Sequence, residues 1–135
     1  MIEVPNYSFS ERSQFNLATC AVPLQTLFWE VIKHWDCGVI CGHRDEKAQN
    51  EAFIKGATKL HFPDSKHNTY LSRAVDVFPC PLDWDDIPRW RDFGFFVMGV
   101  AAAKNINIRW GADWNKNYST EDERFKDFPH FELIG

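Results

Sequence analysis

The chain contains 135 residues, a length typical of one domain and sufficient to bury a hydrophobic core. Hydrophobic residues make up 44% and aromatic residues 16%, which excludes a disordered chain. The formal net charge is −4 without a block of basic residues, which argues against nucleic-acid binding, and no apolar run is long enough to cross a membrane. We therefore expect one compact domain spanning residues 1–135.

The first half of the sequence predicts a helix, a short strand and a second helix. An irregular N-terminal arm with several serines precedes Pro23, which suits the first turn of a helix. Gly38 ends this helix, and residues 39–41 form a buried strand. Asp45 caps the second helix over residues 46–55. Its inward residues are expected to be Ala48, Ala52 and Phe53, with Gly56 after its end.

The second half predicts three more strands and one long helix. Residues 73–78 are rich in Val and Phe and end at a proline, as strands do. Asp83, Asp85 and Asp86 open a third helix, which has the longest helical periodicity. Residues 106–110 and 129–133 are short strands joined by a polar loop. Helices and short strands mixed in this order indicate an α+β fold with an antiparallel sheet.

His67 and Asp76 are the first candidate functional residues. They lie nine residues apart, and Asp76 falls inside the apolar run Ala-Val-Asp-Val-Phe. A carboxylate in such a run is costly to bury unless a cation compensates it. That cation is either a metal ion or an arginine, Arg73 or Arg109, in a buried ion pair.

His130 adds a second imidazole near the C-terminus, between Pro129 and Phe131. Two histidines and one aspartate give a catalytic zinc three protein ligands and leave a fourth position for water. Asp127, three residues earlier, can accept a proton from the attacking water and pass it to a leaving amine. Alternatively, Asp127 is an exposed loop acid and Glu132 is the functional carboxylate.

These residues carry a resemblance to a known family. The motifs are Gly42-His43-Arg44 with Gln49, Ser65-Lys66-His67, Arg73 to Asp76, Arg109 to Trp114, and Asp127 to Glu132. In this order they resemble the D-alanyl-D-alanine carboxypeptidase family of zinc peptidases. Within that family the similarity is closest to bacteriophage endolysins that act as L-alanyl-D-glutamate peptidases. The matched motifs extend over nearly the whole chain.

The resemblance implies a role for each motif residue. The Zn²⁺ ligands would be His67, Asp76 and His130, with Asp127 as the catalytic acid and base. Arg44 would stabilise the developing oxyanion, which suits a guanidinium because it does not lose its proton. Ser65 matches a position that holds substrate near the metal. Trp114 is a candidate groove residue, although an aromatic residue beside a strand also suits the core. The implied fold is the Hedgehog/DD-peptidase fold, a small antiparallel sheet flanked by helices.

The same resemblance implies hydrolysis of the peptide stems of bacterial peptidoglycan by a monomer. The protein would be made in the host cytoplasm without a signal peptide and would reach the wall after holin-type release. Cleavage at D-alanyl-D-alanine and a non-catalytic, zinc-containing wall-binding module are the alternatives. The spacing from His67 to Asp76 is longer than the commonest one in the family. We therefore expect residues 68–72 to bulge outward, so that both side chains face one metal ion.

Overall fold

The computed structural model describes residues 7–135; the expectation of no signal peptide rests partly on residues 1–6, which lie outside that range. Four α-helices, four strands and one turn of 3-10 helix make up the described fold. In chain order these are α1 (Glu11–Ala18), α2 (Val22–Val31), β1 (Cys37–Cys41), α3 (Glu46–Ile54), the 3-10 turn (Lys66–Asn68), β2 (Ala74–Pro79), α4 (Ile87–Ala103), β3 (Ile108–Trp110) and β4 (His130–Leu133).

The strands form one antiparallel sheet in the order β1-β2-β4-β3. Side chains alternate between the two faces of a strand, so each strand presents one set of residues to the helices and another to the opposite face. The helix-facing residues of the sheet pack against the apolar sides of α2 and α4. This core includes Leu24, Leu27, Phe28, Val31, Val75, Val77, Phe93, Val97, Trp110 and Phe131. The predicted α+β class with a small antiparallel sheet flanked by helices is confirmed.

The predicted helix starts depend on local capping bonds, and the structure confirms two of them. The carboxylate of Asp45 accepts a hydrogen bond from the backbone N–H of Ala48 at 2.8 Å, and Asp86 caps α4 in the same way. Gly56 follows α3 with a positive φ of 78°, a conformation that glycine adopts without steric cost.

Among the described residues, no helix combines the length and the apolar composition that a membrane span needs.

The prediction of an irregular N-terminal arm is wrong, because Glu11–Ala18 form α1, capped by Ser10. This helix covers the outer edge of β1. The Ser13 hydroxyl accepts a hydrogen bond from the N–H of Val39 at 2.9 Å, and the Asn16 amide donates to the Val39 carbonyl at 3.0 Å. The side of α1 that faces the protein therefore combines the polar Ser13 and Asn16 with Leu17, so the helix has little apolar periodicity.

Two smaller predictions also need correction. Gly38 lies inside β1 rather than ending a helix, and a Cβ atom there would collide with the ring of Phe78 on β2. In α3 the fully buried residue is Gln49, whereas Ala48 is exposed and Phe53 only partly buried. Both errors arise from long-range contacts: a ring on a neighbouring strand in the first case, and a buried polar network in the second.

Candidate metal centre and active site

Two of the three predicted metal ligands are neighbours across the sheet. Asp76 on β2 pairs in register with His130 on β4. Because Val75, Val77 and Phe131 point into the helical core, the side chains of Asp76 and His130 lie on the opposite face of the sheet. The sheet itself therefore brings together two residues that are distant in the sequence.

His67 reaches the same point from the 3-10 turn. Ser65 caps this turn by accepting a hydrogen bond from the His67 N–H at 3.2 Å, and the Asn68 side chain bonds back to the Ser65 N–H at 3.0 Å. The following residues bulge outward as expected, since Tyr70 is 72% exposed. Ser72 closes the bulge through backbone hydrogen bonds to Thr19 and Ala21.

The three side chains converge on one carboxylate oxygen. Nε2 of His67 and Nδ1 of His130 each lie 3.3 Å from Oδ1 of Asp76. One potential ligand atom from each residue falls within 4.8 Å of the others. Oδ1 is buried and has no hydrogen-bond partner among the described residues, so this atom needs a positive partner.

The outer nitrogens of both imidazoles are already engaged. Nδ1 of His67 lies 2.7 Å from the Gly42 carbonyl oxygen, and Nε2 of His130 lies 2.8 Å from Oε1 of Glu132. Both oxygens can only accept hydrogen bonds, so these nitrogens carry the hydrogens. When the inner nitrogens lose their protons, their lone pairs point toward Asp76, which is the arrangement that orients histidine ligands around a metal.

The pKa values show how strongly this cluster attracts positive charge. Burial alone would lower the pKa of His67, but the negative charge of Asp76 beside it raises the pKa to about 10. Burial likewise opposes the rise in the pKa of His130 to about 9, which Asp76 and Glu132 cause. Burial tends to raise the pKa of Asp76, yet both imidazoles hold it well below its usual range. Without a metal, protons occupy the position that suits a cation.

The alternative prediction, a buried ion pair of Asp76 with Arg73 or Arg109, is wrong. Arg73 donates to the Gly135 carbonyl oxygen, and Arg109 pairs with Glu132 at 2.9 Å. The guanidinium nearest to Asp76 is that of Arg44, whose Nη2 lies 3.9 Å from Oδ2. Neither Arg73 nor Arg109 pairs with Asp76, and two histidines with one carboxylate are ligand types that zinc takes in catalytic sites.

A buried polar network fixes Arg44. Its Nη1 donates to Oε1 of Gln49 at 2.9 Å, and its backbone N–H donates to the His67 carbonyl at 2.8 Å. The Asn68 amide donates both to the Arg44 carbonyl and to Gln49. Gln49 donates in turn to the Leu60 carbonyl at 2.7 Å. The guanidinium is therefore held beside the three predicted ligands.

Asp127 lies half-buried in the same groove, on a turn held by Gly111. The Asp127 N–H donates to the Gly111 carbonyl at 2.7 Å, and the Gly111 N–H donates to the His130 carbonyl at 2.8 Å. Burial raises the pKa of Asp127, and the charge of Asp76 adds to this rise. A carboxylate with a raised pKa is suited to exchange protons with substrate.

Glu132, the alternative to Asp127, has a different environment. Besides His130, its carboxylate binds Lys66 at 3.0 Å and Arg109 at 2.9 Å. Burial raises the pKa of Glu132, but its partners His130, Arg109 and Lys66 lower it far below the usual range. Glu132 therefore orients His130, and Asp127 is the carboxylate without such partners.

A groove of about 560 Å³ runs over these residues and contains the two predicted substrate contacts. Ser65 lines the groove, although its hydroxyl already accepts from the His67 N–H. Trp114 lines it as well, with its ring centroid 5.6 Å from that of His130 and its Nε1 donating to the Phe125 carbonyl. All seven predicted site residues therefore border one groove: Arg44, Ser65, His67, Asp76, Trp114, Asp127 and His130.

Three residues that support the site have no role predicted from the sequence, namely Gln49, Asn68 and Gly111, and Glu132 has another role than the catalytic one weighed for it. Two of these four residues carry a signal in the sequence. Glu132 is two residues after His130, hence on the same strand face. Asn68 is three residues after Ser65, the spacing of a capping box. Gln49 and Gly111 have no comparable local signal.

Comparisons with known proteins agree with this geometry. The family model described as phage L-alanyl-D-glutamate peptidase matches residues 6–134. The L-alanyl-D-glutamate peptidase of Escherichia phage T5 is 26% identical over 138 residues, covering 96% of this chain and 99% of that protein. The crystal structure of the Serratia marcescens L-Ala D-Glu endopeptidase ChiX shares the fold, with a TM-score of 0.73, 24% identity, and coverage of 93% of this chain and 89% of that one. The chain belongs to the phage L-alanyl-D-glutamate peptidase family.

Proposed function

We propose that this protein is a zinc peptidase that hydrolyses the L-alanyl-D-glutamate bond in the peptide stems of bacterial peptidoglycan. The observation that carries the proposal is the convergence of His67, Asp76 and His130 on one buried oxygen, beside Asp127 and Arg44. Family membership supports the choice of bond and of cell-wall substrate. The donor set supports zinc, because two imidazoles and one carboxylate leave an open coordination position.

The proposed mechanism divides the work among three groups. When bound, zinc lowers the pKa of a water molecule and polarises the scissile carbonyl. Asp127 accepts a proton from the attacking water and delivers it to the leaving amine. Arg44, held by Gln49, donates hydrogen bonds to the oxygen that gains charge. Ser65 and Trp114 border the groove where the stem peptide would lie.

A direct experiment follows the products of peptidoglycan digestion. Protein stripped with a chelator and reloaded with zinc should release new amino groups from purified walls, and mass spectrometry should show free amino-terminal D-glutamate. Products that lack only a terminal D-alanine would instead favour D-alanyl-D-alanine cleavage. Binding to walls without any released amine would favour a non-catalytic module.

We also propose that residues 1–135 act as one catalytic domain and as a monomer. Family membership supports a role in wall degradation after holin-type release from the host cytoplasm. Light scattering coupled to gel filtration measures the mass in solution. Expression in a bacterial host with and without a co-expressed holin tests the release route, since only the pair should lyse the cells.

A further inference from the structure

Trp84 is an exposed aromatic residue with one covered face. Its side chain is 56% exposed, and its ring stacks on that of Trp90 with centroids 5.0 Å apart and planes 16° apart. Trp90 is buried and donates its Nε1–H to the Asp83 carbonyl at 2.8 Å. The indole of Trp84 is therefore a flat apolar surface that is supported from below and open on the other side.

The loop that carries Trp84 is braced by hydrogen bonds. The Asp85 N–H donates to the Asp83 carboxylate at 3.0 Å, and Arg89 donates to the Pro81 carbonyl at 3.1 Å. A ring that is already fixed loses little conformational entropy when a ligand stacks on it. This feature favours a binding surface over an incidental exposed side chain.

Trp84 also borders a cavity that adjoins the active site. The cavity measures about 220 Å³ and is lined by Trp84, Trp90, Lys126, Asp127, Phe128 and Pro129. Asp127 lines both this cavity and the catalytic groove. Asp127 is therefore the residue that the catalytic groove and the cavity beside Trp84 share.

We propose that Trp84 binds a sugar ring of the peptidoglycan glycan strand, a proposal that rests on the proposed function. In peptidoglycan the stem alanine is joined through a lactyl group to the muramic sugar. The sugar then lies only about two residue lengths, about 7 Å, from the scissile bond. The apolar C–H face of a pyranose complements the negative face of an indole. A partner protein seated on Trp84 would cover the cavity beside Asp127, so the substrate's own glycan is the occupant that fits.

The test compares two substrates that differ only in the sugar. One is a free stem peptide that begins with L-alanine, and the other is the same stem attached to its disaccharide. We expect Trp84→Ala to lower the ratio of kcat/KM for the disaccharide-linked stem over the free stem by roughly 3- to 10-fold, as expected from aromatic contact energies. Trp84→Phe should retain most of the ratio. Trp29→Ala, which removes a 44% exposed tryptophan outside both cavities, should leave the ratio as in the wild type.

An equal loss on both substrates, or no loss on either, overturns the proposal. Thermal unfolding of each variant identifies loss of fold, and Trp84→Leu then serves as the second variant, because it covers Trp90 without a flat ring. Wild-type protein that cleaves neither substrate contradicts the proposed function instead. In that case the sugar site is tested by the NMR resonance of the Trp84 indole N–H. A shift of this resonance on adding peptide-free glycan strands supports sugar binding at Trp84, and no shift overturns the proposal.

Discussion

Nε2 of His67 lies 3.3 Å from Oδ1 of Asp76, although the two residues are nine positions apart in a segment that has no regular secondary structure over residues 69–73. The extra length is accommodated outside the site, where Tyr70 is exposed and Ser72 returns the chain to the sheet. The unusual spacing therefore leaves His67 and Asp76 side by side, as the predicted metal site requires.

Loss of one imidazole should abolish metal binding. We expect His67→Ala to purify without bound zinc, because two ligands hold the ion much less tightly than three. Elemental analysis of the purified proteins measures this directly. His34→Ala is the matched control, since His34 is exposed and its ring nitrogen contacts Glu30 on the surface. Equal zinc in wild type and His67→Ala would contradict the assignment.

Asp127→Ala should separate catalysis from metal binding. We expect kcat on peptidoglycan stems to fall roughly 100- to 10,000-fold, the range for loss of a general acid and base. The zinc content should stay at the wild-type level, because Asp127 is not among the three side chains that converge as predicted ligands. Substantial activity in the variant would return Glu132 to consideration as the catalytic carboxylate.

Glu132→Gln should weaken zinc binding without removing a ligand. The amide can still accept from His130, but it makes the imidazole less basic and leaves Lys66 and Arg109 without their carboxylate. Competition with a chelator should show zinc affinity lower by roughly 10- to 100-fold. Glu30→Gln alters a similar glutamate–histidine contact of 3.0 Å on the surface, and its zinc affinity should match the wild type.

The stabilisation produced by zinc should increase with pH. In the metal-free protein the pKa values of His67 and His130 are raised to about 10 and about 9, above the usual value of about 6.5. Their protons therefore stabilise the metal-free fold fully below about pH 6.5, and this contribution disappears as the pH rises through 9 and 10.

Zinc must displace these protons, so it competes better as the pH increases. Melting temperatures measured at a constant, buffered free zinc concentration should show a small shift near pH 6 and a larger one at pH 8. A shift that does not change with pH would mean that the imidazoles are already neutral in the metal-free protein.

Gly111→Ala should disrupt the site from outside it. A Cβ at this position would collide with the Asp127 carbonyl oxygen and would crowd the Cβ atoms of Asp127 and His130 at 3.0 Å. We expect the activity and the zinc affinity of this variant to fall together, because the added methyl group displaces both Asp127 and His130. Gly99→Ala is the control, because a Cβ there meets no atom within 4 Å and alanine favours the helix α4. Similar activity in the two variants would show that the turn relaxes without effect.

The parts of the fold that were predicted well depend on local signals. Asp45 and Asp86 cap helices through bonds to residues three positions away, so the sequence alone reveals them. Helix α1 has little apolar periodicity, because beside Leu17 its inward side chains include Ser13 and Asn16, which bond to the edge of β1 in a distant part of the chain. Gly38 was misread for a similar reason, since the ring that requires it belongs to β2.

The candidate site likewise contains residues that the sequence indicates and residues whose role depends on contacts with distant segments. Resemblance to a family identified His67, Asp76 and His130, and the apolar run around Asp76 already indicated a cation. The sequence left a metal ion, Arg73 and Arg109 as the alternatives for that cation, because the partners of both arginines lie in distant parts of the chain. The role of Gln49 depends on contacts with Asn68 and Leu60 in other segments, which no local pattern encodes.

The placement of the three ligands has a consequence for durability. All four cysteines are free thiols, and burial raises the pKa of Cys20 to about 12, so covalent bridges do not brace this fold. An ion held by the 3-10 turn, β2 and β4 would tie three separated segments together as a removable cross-link. Chelation should then speed amide hydrogen exchange in β4 and the turn together, and should expose the same segments to proteases. Molecules that have lost their ion, and with it their activity, would be the first to be degraded.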